Sequence, residues 1–200
     1  MSFKGKKKIS NVYGSEEGYD LYAPYYDQSK AYLDSFEGTT MLKILGDLKG
    51  KQVLDVGAGT GRLLRDLRNL GGFVSAVDVS EGMLNELKKK YSDVECKVGN
   101  IEDLPYEDES FDVIIASFLI VHLKDLQDAF DEVYRVLKNG GLFIVTNINQ
   151  RKAPKLKAGK EEVVIKSFYH RPQNVVSALE ESFFDIEEEV FVKDGKVWVN

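Results

Sequence analysis

A glycine-rich turn at residues 55–61 carries the sharpest chemical signal in this 200-residue sequence. Asp55 comes first, and Gly57, Gly59 and Gly61 then occupy alternate positions. Glycine adopts backbone conformations that other residues avoid, and its lack of a Cβ lets a ligand approach the backbone closely. The pattern therefore predicts a small-ligand site formed by a bare stretch of backbone beside a carboxylate.

The residues of this turn also select the charge of the ligand. A dinucleotide-binding turn follows the pattern G-x-G-x-x-G, and Arg62 stands where its third glycine would be. The Asp55 carboxylate would repel a diphosphate but attract an ammonium group. The methionine part of S-adenosylmethionine carries such a group, so the sequence favours this ligand over a dinucleotide. A purely structural glycine turn is the alternative.

Two polar residues further along the chain fit the rest of such a ligand. Asp78 follows the turn by about twenty residues, where a carboxylate can accept hydrogen bonds from both hydroxyls of a ribose. Helix capping is the alternative for Asp78, although Ser80 is better placed to cap. Asn100 and the backbone N–H of Ile101 are candidates to bind an adenine edge, and a turn asparagine is the alternative.

Alternating strands and helices must position these residues. Apolar runs alternate with helical patterns from Gln52 onward, which is typical of βα units and a parallel sheet. Ligands bind such sheets at the carboxyl ends of the strands. We predict an α/β fold with a doubly wound, mostly parallel seven-stranded sheet and a C-terminal antiparallel β-hairpin around Asp194-Gly195. The predicted strands include Val53–Val56, Phe73–Val77, Val94–Val98, Phe111–Ser117, Leu142–Thr146, Ile186–Val192 and Lys196–Val199.

The whole chain, residues 1–200, is expected to form one domain. Residues 1–18 are predicted to be a mobile tail, and residues 19–50 are predicted to be helices that cover the ligand site. The lysine-rich segment Gln150–Gly159 is predicted to be irregular.

Composition excludes several other classes of protein. Cys96 is the only cysteine, so an internal disulfide is impossible and a cytoplasmic location is expected. Cys96, His122 and His170 are too far apart in sequence to suggest a metal cluster, and no apolar run is long enough to span a membrane. The net charge of −6 disfavours a nucleic-acid partner. The sequence leaves the oligomeric state open.

Several motifs occur together in one order along the chain. They are Asp55-x-Gly57-x-Gly59-x-Gly61, Asp78, the segment NIEDLP at residues 100–105, Phe111-Asp112-Val113, and the segment RVLKNGG at residues 135–141. Together they resemble the class I S-adenosylmethionine-dependent methyltransferases, most closely the branch called the type 11 methyltransferase domain. The family usually has Asp at position 100 and Pro at position 139. Asn is tolerated at both, because its carbonyl can accept a hydrogen bond from adenine and its backbone adopts left-handed turns.

The resemblance implies a Rossmann-like methyltransferase fold, S-adenosylmethionine as the cofactor, and a set of residues that bind it. In that family the glycine turn faces the methionine part, an acid such as Asp78 holds the ribose, and an N-terminal helix with tyrosines covers the cofactor. The implied cofactor-binding residues are Tyr19, Tyr26, Asp55, Gly57, Ala58, Gly59, Asp78, Val79, Asn100, Ile101, Ser117 and Phe118.

Methyl transfer from a sulfonium needs a general base only when the acceptor must lose a proton. His122, His170 and the N-terminal tyrosines are the candidate bases, with structural roles as the alternatives. Asn147, Asn149 and Arg151 follow the fifth strand and are candidates to orient a polar or anionic part of the acceptor.

Three functions are consistent with these residues. The first is an enzyme that methylates a small molecule, favoured by the lack of a recognisable nucleic-acid or peptide-binding appendage. The second is an RNA or protein methyltransferase that docks its substrate on a lysine run. The third is a non-catalytic module that binds S-adenosylmethionine. The lysine run comprises Lys152, Lys155, Lys157 and Lys160.

Overall fold

The computed structural model describes residues 11–148, 151–153, 155–193 and 196–199. Its strands are β1 (Val12–Tyr13), β2 (Gln52–Val56), β3 (Phe73–Asp78), β4 (Glu95–Val98), β5 (Phe111–Ser117), β6 (Leu137–Thr146), β7 (Lys155–Ala158), β8 (Glu161–Ile165), β9 (Val190–Lys193) and β10 (Lys196–Val199). Its α-helices are α1 (Ser15–Tyr22), α2 (Lys30–Leu45), α3 (Leu64–Asn69), α4 (Glu81–Lys90), α5 (Gln127–Val136) and α6 (Pro172–Glu181). Short 3₁₀ helices span Ala23–Ser29 and Ile120–His122.

Strands β2 to β6 form the central sheet, in the order β4-β3-β2-β5-β6, and all of its strand pairs are parallel. This confirms the parallel α/β sheet predicted from the sequence. The neighbours of β2 lead away from it in opposite directions, so the strand order reverses there. The carboxyl ends of β2 and β5 flank the opening in which open α/β sheets bind their ligands.

Helices cover both faces of this sheet. Leu54 of β2 and Ile114 of β5 pack in one hydrophobic cluster with Val133 of α5. Val53, the next residue of β2, packs in a different cluster with Met41 of α2. Adjacent residues of a strand point to opposite faces, so the near-continuous apolar run in β2 is explained by burial on both sides.

The prediction of a seven-stranded sheet is wrong. Among the described residues, the central sheet has five strands, and β9 and β10 pair with each other in a separate antiparallel sheet. The predicted strand Ile186–Val192 starts later in the structure, because β9 begins only at Val190. Residues 187–189 are glutamates, a residue type that is depleted in strands. The predicted turn residues Asp194 and Gly195 lie outside the described residues.

The N-terminal segment is ordered earlier in the chain than predicted. Val12 and Tyr13 pair in parallel with Val164 and Ile165 of β8, and α1 begins at Ser15. The prediction of a mobile tail over residues 1–18 is therefore wrong from residue 12 onward, because β8 offers β1 a strand edge to pair with. Residues 1–10 lie outside the described residues.

The lysine-rich segment also differs from its prediction. Lys155–Ala158 forms β7, which pairs antiparallel with β8. Its alternation of lysines with Leu156 and Ala158 is a strand pattern, and both apolar residues pack against the cluster of Tyr22 and Met83. The prediction that this stretch is irregular is therefore wrong for residues 155–158.

Across the described part of the chain, no helix combines the length and apolar character needed to span a membrane.

Candidate active site

The glycine turn leaves β2 in a conformation that only glycine adopts without strain. Gly57, Gly59 and Gly61 have φ angles of +69°, +55° and +80°. The backbone N–H groups of Gly57 and Ala58 donate to the carbonyl of Val77, at 2.8 and 3.1 Å. These bonds tie the turn to β3 and so hold it beside Asp78.

Two side chains lie on the bare faces of this turn. A Cβ added at Gly57 would be 2.5 Å from Cδ1 of Leu119, and one added at Gly59 would be 3.7 Å from the ring of Tyr26. Tyr26 therefore lies beside the turn at Gly59, and Leu119 lies against it at Gly57.

Asp78 ends β3 with its carboxylate buried at the edge of the turn. Only 8% of the residue is exposed. Its oxygens accept hydrogen bonds from the backbone N–H of Gly59 at 2.8 Å and of Ser80 at 2.9 Å. Burial raises the pKa of Asp78 to about 6, in spite of these bonds and a further one from the Val79 N–H. Carboxylate oxygens can accept more than one hydrogen bond each, so ribose hydroxyls remain suitable donors.

Asp55 provides a second buried carboxylate beneath the turn. It is 2% exposed and pairs in register with Ala76 of β3 and Ile115 of β5. It therefore occupies the middle of the sheet just before the strand ends, as the sequence predicted.

Tyr19 and His122 form a hydrogen-bonded pair next to Asp78. The Tyr19 hydroxyl is 2.7 Å from His122 Nε2, and His122 Nδ1 is 3.1 Å from the carbonyl oxygen of Lys166. A carbonyl only accepts, so Nδ1 carries the hydrogen and Nε2 of the neutral ring accepts from the Tyr19 hydroxyl. Burial lowers the pKa of His122 and raises that of Tyr19, where Tyr26 and Asp78 add to the rise.

The segment over residues 15–29, here called the N-terminal cap, is held to the turn by two acidic side chains. Asp20 accepts hydrogen bonds from the Ser80 hydroxyl at 2.6 Å and the Gly82 N–H at 2.8 Å. Asp27 accepts one from the Thr60 hydroxyl at 2.5 Å. The cap is therefore fastened to the first turn of α4 and to the glycine turn itself.

Arg62 is a residue of the site that sequence reasoning missed. One guanidinium nitrogen lies 3.0 Å from Oδ1 of Asp34, and the other donates to the Ser117 hydroxyl at 2.6 Å. The guanidinium also lies 5.4 Å from the centre of the Phe118 ring. Its place directly after the glycine turn was the available signal, but from sequence Arg62 indicated only a departure from the dinucleotide pattern.

The structure brings the other implied residues to the same edge of the sheet. Ser117 ends β5, and Phe118 follows it with a φ of +54°, unusual for a residue other than glycine. Asn100 follows β4. Its side-chain amide forms hydrogen bonds within its own loop, to the side chain and the backbone N–H of Glu102. Ile101 is buried in the core. Their contacts with a cofactor stay predictions.

The remaining acceptor-side candidates are dispersed. His170 is buried, and its Nε2 bonds to the carbonyl of Leu123 at 2.9 Å, which favours a structural role. Asn147 has a buried side-chain oxygen with no hydrogen-bond partner among the described residues. Arg151 stacks over Tyr169 at 5.3 Å. Asn149 lies outside the described residues.

S-adenosylmethionine fits the arrangement of the described residues. The glycine turn presents bare backbone above a buried acid, and the Asp78 carboxylate stands at the end of the adjacent strand. Aromatic side chains of the N-terminal cap close over both. In the described ranges, no cluster of three or more His, Cys, Asp or Glu side chains is arranged to hold a metal ion.

Comparison with known proteins finds a family match over the central part of the chain. A family model described as "Methyltransferase domain" matches residues 54–145. This match confirms, over residues 54–145, the resemblance to the class I methyltransferases that the sequence motifs indicated. The chain is 31% identical over 163 residues to malonyl-[acyl-carrier protein] O-methyltransferase of Salmonella typhimurium, over 82% of its own length and 62% of the relative's. It is 34% identical over 130 residues to demethylmenaquinone methyltransferase of Tropheryma whipplei, over 62% of its own length and 54% of the relative's.

A solved structure shares the fold over most of the chain. It is a protein of Thermotoga maritima described as an S-adenosylmethionine-dependent methyltransferase, with a TM-score of 0.67, 21% identity, and 92% of both chains covered. At this identity the likeness shows the fold alone. The chain spans less than two thirds of the length of the two curated relatives.

Proposed function

We propose that this chain transfers a methyl group from S-adenosylmethionine to a small-molecule acceptor. The observation that carries the proposal is the bare glycine turn beside the buried Asp78, under a cap that contributes Tyr19 and Tyr26. The relatives' names support the small-molecule class, because one names a malonyl group carried on acyl-carrier protein and the other names demethylmenaquinone. The lysine run gives less support to an RNA partner, since Lys155 is already paired with Glu162 at 2.6 Å.

The bound cofactor supplies an activated methyl carbon on a sulfonium, so the protein's part is to position the acceptor and exclude water. The N-terminal cap covers the turn and limits access of solvent. Ser117 and Phe118 line the side of the site at the end of β5. The catalytic work left to side chains is therefore the handling of a proton.

Tyr19 and His122 provide a path for that proton. An acceptor hydroxyl or amine placed beside the Tyr19 oxygen would give its proton to that oxygen. The Tyr19 hydroxyl proton would pass at the same time to His122 Nε2, and the Lys166 carbonyl would stabilise the resulting charge on the ring. His170 has no place in this path, because its Nε2 is bonded to a backbone carbonyl away from Tyr19.

The acceptor class is tested by incubating the protein with methyl-labelled S-adenosylmethionine and a cell extract. The products are then separated into metabolites, lipids, RNA and protein. Label in the metabolite or lipid fraction is the expected result. Label confined to RNA or protein would contradict the small-molecule proposal, and tight cofactor binding with no label in any fraction would indicate a non-catalytic module.

A further inference from the structure

Arg62 places a buried positive charge at the opening between the carboxyl ends of β2 and β5. Its side chain is only 6% exposed, although it carries a full charge. A buried charge is tolerated only when partners compensate for its lost hydration. The partners described above are the Asp34 carboxylate, the Ser117 hydroxyl and the face of the Phe118 ring.

One acidic partner of this charge comes from outside the sheet. Asp34 lies on α2, and 40% of its side chain is exposed. Its second oxygen is 3.2 Å from Nζ of Lys30, so the carboxylate is shared between two cations. An ion pair with one exposed partner contributes little to stability, and Lys30 can keep Asp34 compensated if Arg62 releases it.

We propose that Arg62 and the Ser117 hydroxyl form a subsite for a ligand carboxylate, which the Asp34 carboxylate occupies when no ligand is bound. A guanidinium presents parallel N–H donors that match the two oxygens of a carboxylate. The inference rests on the proposed function, because Ser117 and Phe118 line the same site. It adds a charge requirement that the proposed function does not contain.

Two ligands can bring a carboxylate to this position. One is the cofactor, through its amino acid part, and the other is an acceptor that is itself a carboxylic acid. The two sources share the same chemistry at Arg62. They differ in whether the subsite remains available once the cofactor is bound.

Calorimetric titration separates the two sources. In the first arm, the wild-type protein is titrated with S-adenosylmethionine and with its decarboxylated analogue. In the second arm, protein saturated with S-adenosylhomocysteine is titrated with acetate. The cofactor as the source predicts a loss of affinity on decarboxylation in the first arm, and the acceptor as the source predicts acetate binding in the second.

Substitutions then show whether Arg62 is responsible. Arg62→Gln should abolish the carboxylate preference in whichever arm shows it, a loss of about tenfold or more, because hydrogen bonds to charged groups are worth roughly 1.5–3 kcal/mol. Arg65→Gln is the matched control, since Arg65 is 69% exposed three residues further on. Its affinities should equal those of the wild type.

Asp34→Asn provides an independent test that does not depend on a buried substitution. Removing the competing carboxylate should tighten binding of the carboxylate-bearing ligand by roughly two- to fivefold, the range expected for an exposed ion pair. Binding of the decarboxylated analogue should not change. If Arg62 only links α2 to β5 and binds no ligand, Asp34→Asn should not tighten binding.

The outcomes are distinct. Unchanged affinities in both arms for Arg62→Gln, or no tightening in Asp34→Asn, would overturn the subsite while leaving the proposed function intact. Failure of the wild-type protein to bind S-adenosylmethionine at all would overturn the proposed function and the subsite with it.

Discussion

At the scale of single residues, Asp78 combines a functional position with a cost in stability. Its pKa of about 6, against an ordinary value of 3.8, means that the folded protein binds this proton more tightly than the unfolded chain. The free energy of unfolding should therefore fall as the pH rises from about 4 to about 6, by on the order of 3 kcal/mol.

Chemical denaturation at a series of pH values measures this effect. Between about pH 4 and pH 6, the free energy of unfolding of the wild-type protein should fall relative to that of Asp78→Asn, which cannot ionise. This relative fall should be absent below the ordinary pKa of an aspartate. Parallel curves for the two proteins between pH 4 and pH 6 would show that the buried carboxylate imposes no such penalty.

The Tyr19–His122 pair makes a second prediction at this scale. Tyr19→Phe and His122→Gln should each reduce kcat by at least about tenfold for an acceptor that must lose a proton, because general-base catalysis contributes roughly 10²- to 10⁴-fold. KM for S-adenosylmethionine should change little in Tyr19→Phe, since the ring is retained.

The control for this pair is Tyr134→Phe. Tyr134 lies on α5, is exposed, and packs against Phe183 and Phe184. Its kcat should match the wild type. Wild-type kcat in both site variants, over the full pH profile, would exclude the proton path.

At the scale of elements, the attachment of the N-terminal cap depends on Asp20. Its carboxylate accepts two hydrogen bonds from the start of α4, beside the apolar contact of Tyr22 with Met83. Asp20→Ala should loosen the cap, raising amide hydrogen exchange over residues 15–29 by about fivefold, for a loss near 1 kcal/mol. Glu17→Ala, an exposed change on the same helix, should leave exchange unaltered. Equal exchange in both variants would contradict this role.

The glycine turn can be tested against a glycine of nearly the same φ angle. Gly57 has a φ of +69° and Leu119 against it, whereas Gly140 has a φ of +70° and open space around it. Gly140→Ala should cost about 1–2 kcal/mol from backbone strain alone. Gly57→Ala should cost at least about 1 kcal/mol more, because Leu119 must shift. Equal losses in denaturant titrations would show that close approach at Gly57 is unimportant.

At the scale of the whole molecule, local patterns predicted the central sheet and the turn because the signals are short in sequence. The apolar run of β2 and the glycines after it specify a buried strand and a bare bend within ten residues. Asp78 follows from the same unit, as does the Ser80 cap of α4, whose hydroxyl accepts from the Met83 N–H.

Contacts between residues that are far apart in sequence could not be predicted from such local patterns. Tyr19 meets His122 across 103 positions, and Arg62 meets Asp34 only because α2 packs beside the turn. The pairing of β1 with β8 likewise joins residues far apart in sequence. A strand such as β7, with lysines on its exposed face, looks like a loop until its partner is known.

Calorimetric titration tests whether the protein binds S-adenosylmethionine and whether Asp78 contributes to that binding. The wild-type protein should bind S-adenosylmethionine and not a nicotinamide dinucleotide. Asp78→Ala should weaken that binding at least about tenfold, because a pair of charge-assisted hydrogen bonds to the ribose is lost. Asp93→Ala, which changes an exposed acid paired with Arg68, should bind as the wild type does. Binding of the dinucleotide in place of S-adenosylmethionine would contradict the proposed cofactor. Equal affinity of Asp78→Ala and the wild type would contradict the proposed role of Asp78.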